Sequence, residues 1–328
     1  MINNQQTITT AIQAARQGVA LADLSHWGLL EISGDDRLRY IHNQSTNNIQ
    51  KLQPGQGCDT VFVTSTARTI DLATAYVTEN AVLVLVSPNR QQQMFEWLDR
   101  FIFPMDRVEL TDISNQNAIF TLIGPESEAL LSKLGVERSS STAYASHQEL
   151  ILGELQVRLA IGSGLALPGY TLIVPVAEAN KLEQTLTKAG AMPLENQIWE
   201  QLRIEQGRPV PDFELTEDYN PLEAGLWQTI SFNKGCYIGQ EIIARLNTYK
   251  GVRQRLWGIR LNGSAQPGTV VTSEGSKVGK LTSFANTDQG AFGLVYIRTK
   301  AGGVGLKVQV GEVEGEIVDV PFLTHEYQ

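Results

Sequence analysis

The segment Lys234-Gly235-Cys236-Tyr237-Ile238-Gly239-Gln240-Glu241 places a thiol two residues from a lysine and between two glycines. Ile242, Ile243 and Leu246 follow, and their spacing predicts a helix with Gly239 at its start. Cys236 would then sit just ahead of a helix N-terminus, with Lys234 close in sequence, and both features favour a thiolate. Gly235 and Gly239 permit the tight backbone that presents such a side chain. Free cysteine is also among the most often buried residue types, so a structural thiol in a turn is the ordinary alternative. A cysteine hydrolase needs a partnered base. His26, His42, His147 and His325 are all remote in sequence and none sits in a motif. Cys58 and Cys236 are the only cysteines. Two thiols cannot supply the usual four ligands of an iron–sulfur cluster, and no other metal-ligand set is read. They also form no disulfide framework, which suits a reducing cytoplasm.

The elements that must position this segment are legible in outline. The chain has 328 residues, 42% hydrophobic and 19% charged, an ordinary globular composition with room for about two domains. Strands are predicted over 27–33, 61–64, 72–77, 81–86, 118–123, 149–152, 155–160 and 170–174. Helices are predicted after Gly34 through about Gln44 with an Asp as N-cap, over 90–101 and 126–134, from about Ala177 to Ala189, and over 198–206. Beyond residue 250, short strands alternate with glycine-rich turns and no helical period survives, which predicts a small all-β barrel. The opening residues carry no basic and apolar leader pattern, and no apolar run is long enough to span a bilayer. The net charge of −9 argues against a broad nucleic-acid surface. Yet Lys234, Arg245, Lys250, Arg253, Arg255 and Arg260 lie within 27 residues, with Glu241 the single acid among them. Such a run is commonly a solvated face, and its functional reading is capture of an anion: an acidic group on a small ligand, an acidic partner surface or RNA.

The eight-residue segment resembles the fingerprint of the YgfZ family, Lys-Gly-Cys-Tyr-x-Gly-Gln-Glu, and matches it at every position. The stretch from Trp199 through Leu202, Glu205 and Gly207 to Pro209 is similar to the family too. So are Asn220 to Gly225, the Gly34 to Asn47 region, and Pro168-Gly169-Tyr170. This resemblance implies the α+β fold of the glycine-cleavage T-protein superfamily, a three-lobed ring of two discontinuous α+β lobes plus a C-terminal β-barrel. The implied lobes are 1–50 with 116–200, 51–115 with 201–248, and 249–328. It implies folate, as tetrahydrofolate or a derivative, in a central channel. Trp27 and Trp199 match folate-contacting tryptophans, and Glu205 matches the glutamate that pairs with the pterin's amino-pyrimidine edge. Packing is the alternative for each tryptophan. Trp199 and Glu205 are six residues apart and face different sides of an ideal helix, so either the helix ends between them or one of the two assignments is wrong, and Gly207 favours the first.

The resemblance further implies an accessory role. A folate-binding protein would support iron–sulfur enzymes and tRNA methylthiolation, with Cys236 as its functional thiol and Lys234 beside it. The link to tRNA would run through an enzyme partner such as a tRNA methylthiotransferase, because the acidic charge argues against direct tRNA docking. The other reading is a folate-dependent aminomethyltransferase. T-proteins carry Lys-x-Asp-Phe-x-Gly where this chain has Lys-Gly-Cys-Tyr-x-Gly, and a paired-Asp motif where this chain has only Asp71. A binding module without activity is the third.

Overall fold

The computed structural model describes residues 4–137 and 142–327. By compactness the chain divides into two units, Met1–Thr60 with Ala73–Trp199, and Val61–Leu72 with Glu200–Gln328. In chain order the first elements are α1 (Asn4–Gln17), β1 (Ala20–Asp23), β2 (Gly28–Ser33), α2 (Arg37–Gln44), β3 (Gly57–Val63), β4 (Thr69–Val77) and β5 (Ala81–Val86). There follow α3 (Gln91–Asp99), β6 (Glu109–Asp112), β7 (Asn117–Ile123), α4 (Ser127–Lys133), β8 (His147–Leu152), β9 (Leu155–Ile161) and β10 (Gly169–Pro175). Then come α5 (Ala179–Ala189), β11 (Met192–Leu194), α6 (Asn196–Gln206) and α7 (Gln240–Thr248). The barrel strands are β12 (Gln254–Leu261), β13 (Val270–Ser273), β14 (Ser276–Thr287), β15 (Gly290–Arg298), β16 (Lys307–Val310) and β17 (Val313–Val318). No helix among the described residues is long and apolar enough to cross a membrane.

Two open sheets and a closed barrel result. One sheet runs β11-β1-β7-β10-β9-β8, the other β3-β4-β5-β2-β6, and the barrel closes as β12-β15-β14-β13-β16-β17. The barrel meets the sequence expectation: alternation with glycine turns leaves each strand one inward face, and closure removes the exposed edges. Ile259, Leu281, Val295, Ile297 and Ile317 fill its interior. In the first unit, α4 and α5 bury Leu130, Leu131, Leu182 and Leu186 on Phe120, Leu122, Leu159 and Leu172 of the first sheet. Gly190 ends α5 at φ +115°, a left-handed C-cap that favours glycine.

Some expectations are corrected. Strand β2 pairs with β5 and β6, so the segment around 28–33 joins the 57–112 strands and not those of 116–175. Asp36 occupies the N-cap position of α2 without capping it; its carboxylate accepts the backbone N–H of Arg107 at 3.0 Å instead. Helix α1 was not foreseen, because Ala11, Ile12 and Ala15 make only a slight apolar stripe.

Within the second unit, α6 is anchored by charge. Arg203 and Glu214 are both excluded from water and pair at 2.9 Å. Arg203 also donates to Glu200 through Nε at 2.9 Å and to Ser283 Oγ at 2.9 Å. Ser283 donates to the other oxygen of Glu214 at 2.6 Å, and Tyr296 donates to the Glu214 carbonyl at 2.8 Å. Tyr296 in turn stacks on Tyr219, with ring centroids 3.5 Å apart. One guanidinium thereby ties α6, the turn before Leu215 and strand β14. Removing one member strands a buried charge. Glu214→Gln is expected to cost about 3 kcal/mol in urea unfolding, and the paired change Arg203→Met with Glu214→Leu to cost less than the sum of its single changes. Additive losses would show that the two side chains act independently.

Candidate functional site

The signature segment forms the loop that enters α7, above a core of Val61, Val63, Leu72, Leu226, Trp227, Ile230, Tyr237 and Ile243. Tyr237 is the anchor. It is buried, and burial pushes its hydroxyl well above the ordinary tyrosine value, so it stays protonated. The Lys234 ammonium lies 4.7 Å from the Tyr237 ring centroid, a cation–π contact beneath the surface. Cys236, between these two, is exposed. The two buried neighbours hold the loop while the thiol faces solvent, and the reading of Cys236 as a buried structural cysteine is set aside.

Gly239 makes this possible. It is the N-cap residue of α7 at φ +79°. A Cβ there would stand 2.8 Å from the Thr64 carbonyl oxygen and 3.0 Å from a Val63 methyl, so the loop rests directly on the β3–β4 turn. That turn has its own left-handed residue, Ala67 at φ +57°, and is closed by Thr64 bonds to Ala67 and Arg68. Gln240 donates to the Tyr237 carbonyl at 3.2 Å, and exposed Glu241 lies in the first turn of α7, where a negative charge suits the helix dipole. Of the predicted apolar side of α7, Ile243 is buried and Leu246 half-buried, but Ile242 is exposed. Ile242 and Ile243 flank Leu246 on opposite sides of the helix stripe, about 100° apart, and Ile243 is the one turned to the core.

The folate candidates divide differently. Trp27 and Trp199 come together in the first unit, edge to face with centroids 5.6 Å apart, and both are buried. The Trp199 indole N–H is buried without a hydrogen-bond partner. Glu205 is half-buried and accepts a bond from Gln201 at 3.0 Å. Helix α6 continues unbroken through Trp199 and Glu205 and ends before Gly207, so the expected end between them is corrected. Their side chains leave α6 on different sides.

The basic stretch does not form one face. Lys234 lies on Tyr237, and Arg255 lies 5.4 Å over the Tyr327 ring. Arg245 and Arg253 instead line a cleft of about 670 Å³ together with Arg68 from the β3–β4 turn. Asn220 and Glu223 of the 220–225 stretch line this cleft too, with Tyr249, and Arg68 and Tyr249 carry no motif in the sequence. Only the proximity of the hairpin turn to α7 reveals them. For the signature loop, Gly239→Ala meets both a left-handed φ and a carbonyl contact. It is expected to cost roughly 2 kcal/mol in thermal unfolding and to change the rate at which a disulfide reagent labels Cys236. Unchanged stability and labelling would remove Gly239 from this role.

Comparison with known proteins agrees with the architecture. The GCVT N-terminal domain family matches residues 3–234, ending where the signature segment begins. A chloroplastic protein of Arabidopsis thaliana that carries a provisional name as a transferase is 45% identical over 97% of this chain and 74% of its own length. An aminomethyltransferase of Caldanaerobacter subterraneus is 26% identical over 98% of this chain and 90% of its own. The crystal structure of the glycine cleavage system aminomethyltransferase T from Bartonella henselae superposes with a TM-score of 0.85 at 17% identity, covering 98% of this chain and 90% of that one. The fold is therefore the glycine-cleavage T-protein fold, α+β with a closed six-strand C-terminal barrel. The match over 232 of 328 residues makes this chain a member of the GCVT N-terminal domain family.

Proposed function

We propose that this protein is a folate-binding member of the YgfZ branch of its family, an accessory to iron–sulfur enzymes and through them to tRNA methylthiolation. The observation that carries this reading is the exposed Cys236, held on a loop anchored by Lys234 and Tyr237, where T-proteins carry the Asp-Phe pair. The residues present suit a folate. The buried Trp199 N–H lacks an acceptor, and a folate carbonyl supplies one. Glu205 offers a half-buried carboxylate to an amino-pyrimidine edge. Trp27 orients Trp199 through their edge-to-face contact. When bound, tetrahydrofolate supplies a carrier for one-carbon units. The chain's own contribution is to hold the ligand's polar edge and to keep a thiol exposed. Two thiols outside any disulfide suit a reducing, cytoplasmic setting.

The second reading is a folate-dependent aminomethyltransferase, favoured by the names of the bacterial relatives. Against it, residues 67–72 hold the single acid Asp71 in place of a pair, and that residue is fully buried in β4. Titration with 5-formyltetrahydrofolate is expected to quench tryptophan fluorescence strongly, and Trp199→Phe to remove most of that response; no quenching would sink the ligand. Transfer of an aminomethyl group from a lipoyl carrier to tetrahydrofolate would overturn the accessory role in favour of the enzyme. Separately, Cys236→Ser is expected to fold normally and to lose rescue of a strain lacking the protein. Full rescue would mean that the thiol has no part in function.

A further inference from the structure

The cleft beside α7 lies within the second unit, and its three arginines come from three parts of the chain. Arg68 comes from the β3–β4 turn, Arg245 from the exposed side of α7, and Arg253 from the segment leading into β12. None of the three guanidiniums is in an ion pair with any described residue. Arg68 donates to the Asp218 carbonyl at 3.0 Å, and this holds its side chain in place. The end of α7 makes the cleft. Gly251 donates back to the Leu246 carbonyl at 2.9 Å, and Lys250 takes φ +50°, so the chain reverses and lays Arg253 alongside the helix.

The one acid in the lining is Glu223. It is buried, its carboxylate accepts the Asn220 N–H at 3.2 Å, and burial raises it above the ordinary glutamate range. Arg68 and Arg253 act on it in the opposite sense, and with one carboxylate against three guanidiniums the cleft keeps an excess of positive charge. Beside Arg245, on the same side of α7, Ile242 and Leu246 line the cleft, and Tyr249 follows just past the helix end, at spacings of four and three residues. Ile242 is 37% exposed and Tyr249 is 77% exposed. An exposed aromatic ring at the end of an apolar strip, lining the same cleft as three guanidiniums, suits a ligand with a flat organic body and a multiply charged oxyanion.

We propose that this cleft binds a nucleoside diphosphate or a ligand of that class, its phosphates on Arg68, Arg245 and Arg253 and its base against Tyr249. Guanidinium forks match phosphate oxygens two at a time, and two or three such forks match a diphosphate's charge. A volume of about 670 Å³ accommodates a nucleotide-sized molecule. An inorganic anion would leave the apolar side unused. An RNA strand offers the same phosphate and base chemistry, but the chain's charge of −9 disfavours a polyanion extending beyond the cleft.

Isothermal titration of the full chain distinguishes these sources, using ADP, inorganic pyrophosphate, a triglutamate peptide and a ten-nucleotide single-stranded RNA. ADP is expected to bind one to one. Arg245→Ala and Arg253→Ala, both at exposed positions, are each expected to weaken it about tenfold. Tyr249→Ala is expected to weaken ADP about fivefold or more and to leave pyrophosphate unchanged. No saturable ADP binding at millimolar concentration would overturn the proposal, as would ADP binding that survives the Arg245→Ala, Arg253→Ala double change. Binding of triglutamate or of RNA in place of ADP would overturn it equally, assigning the arginines to a carboxylate or to a nucleic-acid strand.

Discussion

A guanidinium and a carboxylate that are both shut off from water survive only as a satisfied set. Arg203 is such a case: Glu214, Glu200 and Ser283 surround it, and Ser283 and Tyr296 complete the bonds of Glu214. The desolvation cost of two ions is offset only when each donor and acceptor has a partner. The pair therefore fixes where helix α6 stands relative to the turn before Leu215 and to strand β14. The Tyr219–Tyr296 stack extends that constraint to residue 219, next to Asn220 and Glu223 in the lining of the cleft. Apolar packing of the same volume could fill this space, but it would not specify one register of α6 against the barrel.

The signature loop uses a different device. Its rigidity comes from a buried tyrosine, a lysine laid on that ring, and a glycine too close to a neighbouring carbonyl to carry any side chain. Each of these leaves Cys236 outside. A reactive thiol needs access as well as a set position, and a loop pinned at both ends over a core supplies both. The same hairpin turn that receives Gly239 sends Arg68 toward α7, so one contact between distant segments shapes both the loop and the cleft.

The run of basic residues between 234 and 260 illustrates how charge in sequence differs from charge in space. Its members end in a cation–π contact within the core, on a tyrosine ring, at an exposed position of a barrel strand and in a cleft. Two of them acquire a chemical setting only through Arg68, which lies 177 residues before Arg245 in the chain.

The features legible in the residues alone are local. Apolar spacing marked α3 and α7, glycine marked the ends of α5 and α6, and alternation with turns marked all six barrel strands. The eight residues around Cys236 announced a constrained, glycine-bracketed loop, because chain geometry at glycine is a property of the residue itself. Long-range packing set the pairing of β2 with β5 and β6, the bond of Asp36 to Arg107 in place of its own helix, and the outward turn of Ile242 beside buried Ile243. It alone brought Trp27 against Trp199 and Arg68 beside Arg245. The physical reason is the same in each case. Periodicity reports which side of an element avoids water, but the partner that covers that side comes from far along the chain, and burial and strand pairing choose it.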